Sequence, residues 1–273
     1  MIKRIIRKVI GQPTYSKLVL LKSAVKNYRN FHTDFFLHQK KYVLNKNNEP
    51  LFSVRDLGDS TGSRALSFYT KEPGTIQWID SFLSDSCFLD IGANIGIYSL
   101  YAATHKHNVI SVEPEFSNFF MLNANIRDNN LAPNMTAYPI SLYNKSEIAH
   151  LHIRYGTLGA SSNSFEQPIG QTGEFFDAIF KQGSISITTD QLLSKLNLQP
   201  NYIKIDVDGH ELPVVEGMFK TLKLQSLQSI LIELNTELPE HKQALEIVES
   251  NGFELSRTDQ LDDHHSNYIL NKS

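Results

Sequence analysis

The sequence is poor in the residues that build disulfides, cysteine-based metal sites and membrane spans. Cys87 is the only cysteine among 273 residues, which excludes an internal disulfide and a cysteine-based zinc site and favours a reducing compartment, the cytoplasm. No apolar run approaches the roughly 18 residues that a membrane span needs, and the run at 18–21 is too short for a secretory signal. With 41% apolar and 20% charged residues, the composition is that of an ordinary globular protein.

Acidic residues are missing from the first 33 positions. That stretch carries eight Lys or Arg, whereas the other 18 of the 26 basic residues stand against 29 acidic ones. An acidic body repels the phosphate backbone, so we expect no nucleic-acid partner. Residues 1–33 predict a basic helical arm, which packs on its own domain or lies peripherally on the inner face of an anionic membrane. Its apolar residues recur near helical spacing: Ile2, Ile5, Ile6, Val9 and Ile10.

Short apolar runs alternate with amphipathic stretches from position 87 onward. This alternation predicts the α/β class, a parallel sheet with helices on both faces. The last two runs are joined by a loop too short for a crossover, so we expect them to be antiparallel. The predicted strands lie at about 87–91, 108–113, 135–141, 202–207, 229–234, 253–257 and 267–271, and the helices at about 95–104, 116–129, 189–196, 212–223 and 237–251.

Two stretches are less regular. Residues 34–86 are a lead-in or cap region between the arm at 1–33 and one large domain at 87–273, and the turn Lys-Glu-Pro-Gly at 71–74 predicts a helix over 75–79. The second stretch fits neither period. Residues 156–184 are rich in Ser, Gly and Phe, and so long a connection inside a compact domain is usually functional or mobile. We expect this segment to form a lid over the site.

The clearest motif runs from an apolar strand through a glycine turn into a helix, Cys-Phe-Leu-Asp-Ile-Gly-Ala-Asn-Ile-Gly at 87–96. The next strand ends at Glu113. This pattern predicts a nucleoside site in which the turn holds one end of the ligand and the acid accepts from the ribose hydroxyls. The alternative is a strand, turn and helix whose small residues serve only packing.

Missing glycines indicate which nucleoside. A dinucleotide fingerprint counted from Gly92 would place its further glycines at Asn94 and Ile97, and neither is present. A side chain at the second position keeps the backbone away from a pyrophosphate. Asp90 repels phosphate and favours a cation, so S-adenosylmethionine (SAM), which has a sulfonium and no phosphate, is the expected cofactor. A nucleoside-binding, NAD-dependent oxidoreductase is the alternative.

Two motifs together resemble a known family. The stretch 88–101 resembles motif I of class I SAM-dependent methyltransferases, and Lys-Ile-Asp-Val-Asp-Gly-His-Glu at 204–211 resembles the second hallmark of the FkbM family of methyltransferases. The likeness covers about 70–271. It implies a Rossmann-like, mostly parallel seven-stranded sheet with the last strand antiparallel, and methyl transfer to a hydroxyl of a sugar, polyketide or lipid-linked product.

The resemblance also implies roles for individual residues. We expect Asp206, at the end of a central strand, to contact the acceptor hydroxyl or the amino group of the cofactor. His210 is our first choice for the general base, with Asp208 and Glu211 orienting it, although a histidine that only begins a helix fits as well. The implied cofactor-binding residues are Asp90, Gly92, Ala93, Asn94 and Gly96 in the first turn, Glu113 at the ribose, and Ser141 and Leu142 at the adenine.

Two further hypotheses concern charge in the same region. Lys204 is expected to form a buried ion pair with Asp206 or Glu233. Asp206, Glu233 and Asn235 end adjacent strands and offer three oxygen ligands to Mg²⁺, or they simply line a polar cleft. The sequence leaves open which small molecule or glycan is the acceptor, the oligomeric state, and whether the fold survives as a catalytically silent SAM-binding scaffold.

Overall fold

A computed structural model of the chain describes residues 40–58 and 60–273. Residues 41–273 form a compact unit. The predicted basic arm at 1–33 lies outside the described residues. No helix in the described part of the chain has the length and apolar character to cross a membrane.

The described elements follow one another with short connections. In chain order they are β1 (Lys40–Lys46), β2 (Glu49–Asp56), α1 (Ser60–Leu66), α2 (Phe68–Lys71), α3 (Pro73–Asp80), β3 (Cys87–Ile91), α4 (Ile97–Thr104), β4 (Asn108–Val112), α5 (Phe116–Asp128), β5 (Met135–Tyr138), β6 (Ser141–Leu142), β7 (Glu147–Ile153), β8 (Ser164–Phe165), β9 (Phe180–Ile187), α6 (Thr189–Leu196), β10 (Tyr202–Ile205), α7 (Glu211–Glu216), a 3-10 turn (Thr221–Lys223), β11 (Ser229–Leu234), α8 (Pro239–Ser250), β12 (Phe253–Gln260) and β13 (Ser266–Lys272).

The central sheet has seven strands in the order β12-β13-β11-β10-β3-β4-β5. Strands β11, β10, β3, β4 and β5 are parallel to one another. The last strand, β13, inserts between β11 and β12 and is antiparallel to both. The α/β class and the antiparallel pairing of the last two strands are therefore confirmed.

Helices cover both faces of this sheet. Successive side chains of a strand point to opposite faces, and both faces of these strands are apolar, so each face needs a covering layer. One apolar cluster joins Phe88 and Tyr202 to side chains of α1 to α5, among them Leu100. The other joins Leu89 and Ile203 to side chains of α6, α7 and α8. The carboxyl ends of the strands remain free between the two layers to form a site.

The described part of the lead-in, residues 40–58 and 60–86, is more regular than the sequence suggested, and α3 covers the helix expected at 75–79. Strands β1 and β2 form a two-stranded sheet whose turn is Asn47-Asn48, both at positive φ, 54° and 66°. Asparagine tolerates this left-handed conformation better than most residues, which is why it suits tight hairpin turns. Helices α1 to α3 follow and pack on the sheet.

Two predicted elements are shorter than expected. The strand predicted at 135–141 ends at Tyr138, because Pro139 has no N–H to donate to a neighbouring strand. The helix predicted at 212–223 ends at Glu216. At the next residue, Gly217, a Cβ would approach the carbonyl oxygen of Tyr143 to 2.3 Å, so close packing there requires glycine.

A second sheet, which the sequence did not indicate, contains part of the candidate lid. Its order is β6-β9-β7-β8, with β7 and β9 antiparallel along their whole length. Strand β9 thus takes up residues 180–184 of the candidate lid and the three residues that follow it. The short strand β8, which lies inside the candidate lid, pairs with β7. The segment is a structured wall beside the carboxyl ends of the central strands.

Candidate active site

The candidate site is a cleft of about 710 Å³ at the carboxyl ends of β3, β4 and β10. Strand β3 has β4 on one side and β10 on the other. The chain passes from β3 to β4 first and adds β10 on the opposite side of β3 only later, so the cleft lies where the strand order reverses. Ligands of open α/β sheets bind at such a switch point.

The first turn is built by backbone contacts that only glycine permits. Gly92 has φ +85°, and a Cβ on it would lie 1.7 Å from the carbonyl oxygen of Asp206. The N–H groups of Gly92 and Ala93 both donate to the carbonyl of Val112, at 2.9 and 3.0 Å. Gly96, at φ +86°, precedes α4. The turn therefore ties β3, β4 and β10 together at the floor of the cleft.

Glu113 lies in the cleft wall with its carboxylate already fixed. Its Oε2 accepts from the Asn94 N–H at 2.8 Å and its Oε1 accepts from the Glu115 N–H at 2.8 Å. Burial raises the pKa of Glu113 to about 8, although these two N–H groups oppose the shift. At neutral pH the group is therefore mostly protonated, so it offers one O–H donor and the remaining acceptor capacity of its oxygens, and both suit a ligand diol.

Asp90 lies beneath the cleft and is not one of its lining residues. Its side chain is 2% exposed, and its Oδ2 accepts from the hydroxyl of Ser99. Its register partner on β10 is Lys204. Burial raises the pKa of Asp90, and the Lys204 charge opposes that shift. Direct contact between Asp90 and a cofactor stays a prediction.

Asp206 lines the cleft and is paired with a buried cation. Its Oδ2 lies 2.6 Å from Nζ of Lys204, whose side chain is 2% exposed, so the predicted ion pair is confirmed. Burial alone would raise the pKa of Asp206, but the ammonium groups of Lys204 and Lys71 hold it below its usual value. Asp206 is therefore ionised and held in place at neutral pH.

Asp208 is held by the candidate lid segment. It has φ +59°, and its Oδ2 accepts from the Ser162 N–H at 2.6 Å. Its Oδ1 accepts from the side-chain amide of Gln171 at 2.5 Å. Burial and the nearby charge of Asp206 raise the pKa of Asp208 to about 6. The group is thus mostly ionised at neutral pH and titrates just below it.

His210 lines the cleft immediately before α7, and its hydrogen-bond partner is Ser164, not Asp208 or Glu211. Its Nε2 lies 2.6 Å from Oγ of Ser164, and that hydroxyl donates its single proton to the carbonyl of Gln167. Ser164 can therefore only accept, so Nε2 carries the proton and Nδ1 keeps its lone pair. Burial lowers the pKa of His210 to about 4, so the ring is neutral at pH 7.

Glu211 braces the loop behind the cleft. Its Oε1 accepts from the N–H groups of Val207 and Gly209, at 3.0 and 3.3 Å. Its Oε2 lies 3.4 Å from Nε2 of His241. Burial raises the pKa of Glu211 to about 8. The contacts of this side chain are thus with the backbone of its own loop and with α8.

The other predicted residues and several unpredicted ones line the same cleft. Ser141 and Leu142 form β6 at one side, and Ser141 Oγ lies 3.2 Å from Ser184 Oγ. Arg64, from the lead-in, lines the cleft and donates to the carbonyl of Gly159 at 2.6 Å. No motif marks the unpredicted lining residues, which include Arg64, Asn118, Tyr143, Ala160, Asn163 and Phe165.

The Mg²⁺ hypothesis finds no support. Within residues 40–58 and 60–273, no three His, Cys, Asp or Glu side chains are grouped closely enough to hold a metal ion. Asp206 already has the Lys204 ammonium beside it, and burial with the Asp206 charge raises the pKa of Glu233 well above its usual value. Asn235 Oδ1 accepts from the Glu237 N–H at 3.0 Å. Asp206 and Asn235 are therefore already engaged by other groups of the protein.

Comparisons with known proteins agree on the family. The model of the methyltransferase FkbM domain matches residues 90–255. Hexuronic acid methyltransferase AglP of Haloferax volcanii is 30% identical over 193 residues, which span 68% of this chain and 67% of that protein.

Solved structures with a related arrangement are more distant. The magnesium protoporphyrin IX methyltransferase ChlM of Synechocystis PCC 6803, with bound SAM, is 10% identical with a TM-score of 0.48, over 80% of this chain and 86% of that one. Fibrillarin of Aeropyrum pernix, also with bound SAM, is 12% identical with a TM-score of 0.47, over 84% and 82%. On the evidence of the family model and the curated relative, the chain belongs to the FkbM family of SAM-dependent methyltransferases.

Proposed function

We propose that this chain transfers the methyl group of SAM to a hydroxyl oxygen of a sugar or glycan. One observation carries the proposal: a neutral imidazole, with its proton held on Nε2 by Ser164, lines the same cleft as the glycine turn and Glu113. A hydroxyl must lose its proton as its oxygen takes the methyl group. His210 Nδ1 is the group that receives this proton.

The lining of the cleft fits SAM in its chemistry. The glycine turn brings bare backbone to the floor, Glu113 offers acceptors for a ribose diol, and Ser141 and Leu142 form the wall assigned to the adenine. Ionised Asp206 offers an acceptor for an ammonium or a hydroxyl. SAM, when bound, supplies an electrophilic methyl group on a positively charged sulfur.

The contribution of the chain's own residues is alignment and proton transfer. Holding two reactants in line can supply about 7–11 kcal/mol of the barrier reduction. A positioned base adds about 10² to 10⁴ in rate. Asp206 orients the acceptor hydroxyl while His210 Nδ1 takes its proton, and Ser164 keeps the ring turned with that nitrogen available.

The sugar acceptor is supported by the relative, whose name specifies a hexuronic acid. A uronic acid offers both hydroxyl and carboxylate oxygens, and the two give different products. A methyl ether survives mild alkali, whereas a methyl ester is hydrolysed. The proposal requires an ether, because proton removal by His210 is needed only for a hydroxyl.

The test is methyl transfer from tritiated SAM to a panel of simple glycosides, followed by mild alkali. We expect labelled product that keeps its label. Label lost in alkali would contradict hydroxyl transfer. Tight SAM binding without turnover on any sugar would instead favour the catalytically silent scaffold. Calorimetry with NAD, for which we expect no binding, tests the oxidoreductase alternative.

We propose a place of action as well. The basic composition of residues 1–33 supports peripheral contact with the inner face of the membrane, from the cytoplasmic side. Full-length enzyme should sediment with vesicles that contain anionic lipid and not with neutral vesicles. A variant with four of the eight basic residues changed to glutamine should lose this binding. Equal sedimentation of the full-length enzyme and this variant with anionic vesicles would refute contact through the basic residues of 1–33, and no sedimentation of either protein would refute the membrane contact itself.

A further inference from the structure

A second cleft adjoins the cofactor cleft and has no function assigned above. It measures about 1110 Å³ and lies between residues 166–173 of the lid segment and the starts of α7 and α8. Three residues line both clefts: Tyr143, Phe165 and His210. A molecule in the second cleft therefore reaches the imidazole that faces the cofactor cleft.

The lining of the second cleft combines flat apolar surface with hydrogen-bonding groups. The rings of Tyr143 and Phe165 lie 5.2 Å apart at 61°, and Leu212 and Leu238 add aliphatic surface. Polar groups come from side chains such as Gln167 and from the backbone of a glycine-containing loop. A sugar ring has the matching character, because it presents apolar C–H faces with hydroxyls around the edge.

The charge of the second cleft is unusual for a site that would hold an acid. Among the described residues, its lining includes the carboxylates of Glu166 and Glu240 and no Lys or Arg. The nearby ammonium of Lys145 is taken by Glu166, at 3.0 Å, and by Glu147, at 3.2 Å.

The histidines of this cleft add no positive charge. Burial lowers the pKa of His210 and of His241 to about 4, so both are neutral at pH 7. His241 Nδ1 also accepts from the Asn235 N–H at 2.8 Å, which places its proton on Nε2. A ligand carboxylate would thus meet the Glu240 carboxylate and a Glu166 carboxylate already paired with Lys145, and no lysine or arginine lines the cleft to pair with it.

We propose that the second cleft seats the acceptor, and that this acceptor is a sugar without a carboxylate, either neutral or amino-substituted. The inference rests on the proposed function and narrows it. It separates this chain from a relative that is named for a hexuronic acid. His210, shared by both clefts, is the point at which the acceptor hydroxyl meets the donor.

The experiment compares matched sugars that differ in one group. Methyl glycosides of glucose, galactose and mannose are titrated by calorimetry into the full chain saturated with S-adenosylhomocysteine, beside the corresponding methyl uronides. We expect at least one neutral glycoside to bind about tenfold or more tightly than its uronide. Because binding is measured apart from turnover, it tests the site independently of the methyl transfer.

A charge reversal in the second cleft sharpens the test. Glu240 lies in the first turn of α8 and lines the cleft, whereas Glu246 is exposed on the same helix outside it. We expect Glu240→Lys to reduce the preference for the neutral glycoside at least fivefold, and Glu246→Lys to leave the preference unchanged.

Four outcomes decide the matter. The expected pattern supports the site, and if no sugar is then methylated, the proposed function fails while the sugar site stands. A wild-type preference for uronides overturns the inference. Equal effects of the two lysine variants overturn it, since the selectivity then arises elsewhere. Failure of every glycoside to bind overturns it as well.

Discussion

The two sides of the active site are built in different ways. The cofactor side depends on backbone: a glycine at positive φ, two N–H groups on one carbonyl, and Glu113 held by two further N–H groups. The proposed acceptor side, the region around His210 where the two clefts meet, depends on side chains that meet across long stretches of sequence. Ser164 meets His210 there, and Gln171 meets Asp208 in the adjoining wall of the cofactor cleft. We therefore expect few substitutions to be tolerated on the cofactor side. On the other side, we expect single side-chain substitutions to change ligand preference without loss of the fold.

The largest effect is expected where backbone meets backbone. In Gly92→Ala, the new Cβ would lie 1.7 Å from the Asp206 carbonyl at a strained positive φ. We expect SAM affinity to fall at least 100-fold and the free energy of unfolding to fall by about 2–4 kcal/mol. Calorimetry and urea denaturation measure the two.

Gly183→Ala is the matched control from the second sheet. No atom lies within 4 Å of the Cβ position at Gly183, so SAM affinity and stability should hardly change. Equal losses of SAM affinity and stability in the two alanine variants would show that the losses do not arise from the close backbone contact at Gly92.

The next largest effect is expected at His210, one of the three residues that line both clefts. His210→Gln keeps a polar side chain but removes the proton acceptor, so kcat should fall by about 10² to 10⁴ with SAM affinity unchanged. Single-turnover rates with tritiated SAM measure this. An unchanged rate would exclude His210 as the base and leave Asp208, a cleft carboxylate whose pKa is raised to about 6, as the next candidate.

A smaller effect is expected from the residue that orients His210. In Ser164→Ala the imidazole loses the acceptor that holds its proton on Nε2, and we expect kcat to fall about tenfold. Ser164→Thr, which keeps the hydroxyl, should recover most of the rate. If threonine fails to rescue a folded enzyme, packing rather than proton placement explains the loss.

The smallest effect is a pH dependence of stability on the cofactor side. Burial raises the pKa of Glu113 from 4.5 to about 8, so the folded state binds a proton more tightly than the unfolded state between these values. Stability from this group is full below about pH 4.5 and declines as pH rises toward 8. Glu113→Gln should flatten the decline between pH 5 and pH 8 by at least about 1 kcal/mol in urea titrations. An identical decline in both proteins would refute a buried, titrating Glu113.

The same contrast explains what the sequence could predict. The glycine turn and the strand end at Glu113 are local signals, and the structure brings both into one cleft with Asp206, Asp208 and His210. These residues lie at strand ends, where topology alone brings them together.

The acceptor side gave no such signal. Ser164 lies in a segment without periodicity, and its pairing with His210 spans 46 positions. Strand β7 and the small sheet depend on pairing with β9, which only the tertiary structure fixes. Arg64 reaches the cleft from a lead-in that has no motif.

Two clefts that meet at one imidazole have a kinetic consequence. The two clefts share only three of their lining residues, so we expect that neither ligand has to pass through the site of the other. Methyl donor and sugar are then free to load in either order, and the spent donor competes with fresh donor alone. Initial-rate plots should show intersecting lines, with S-adenosylhomocysteine competitive toward SAM and noncompetitive toward the sugar.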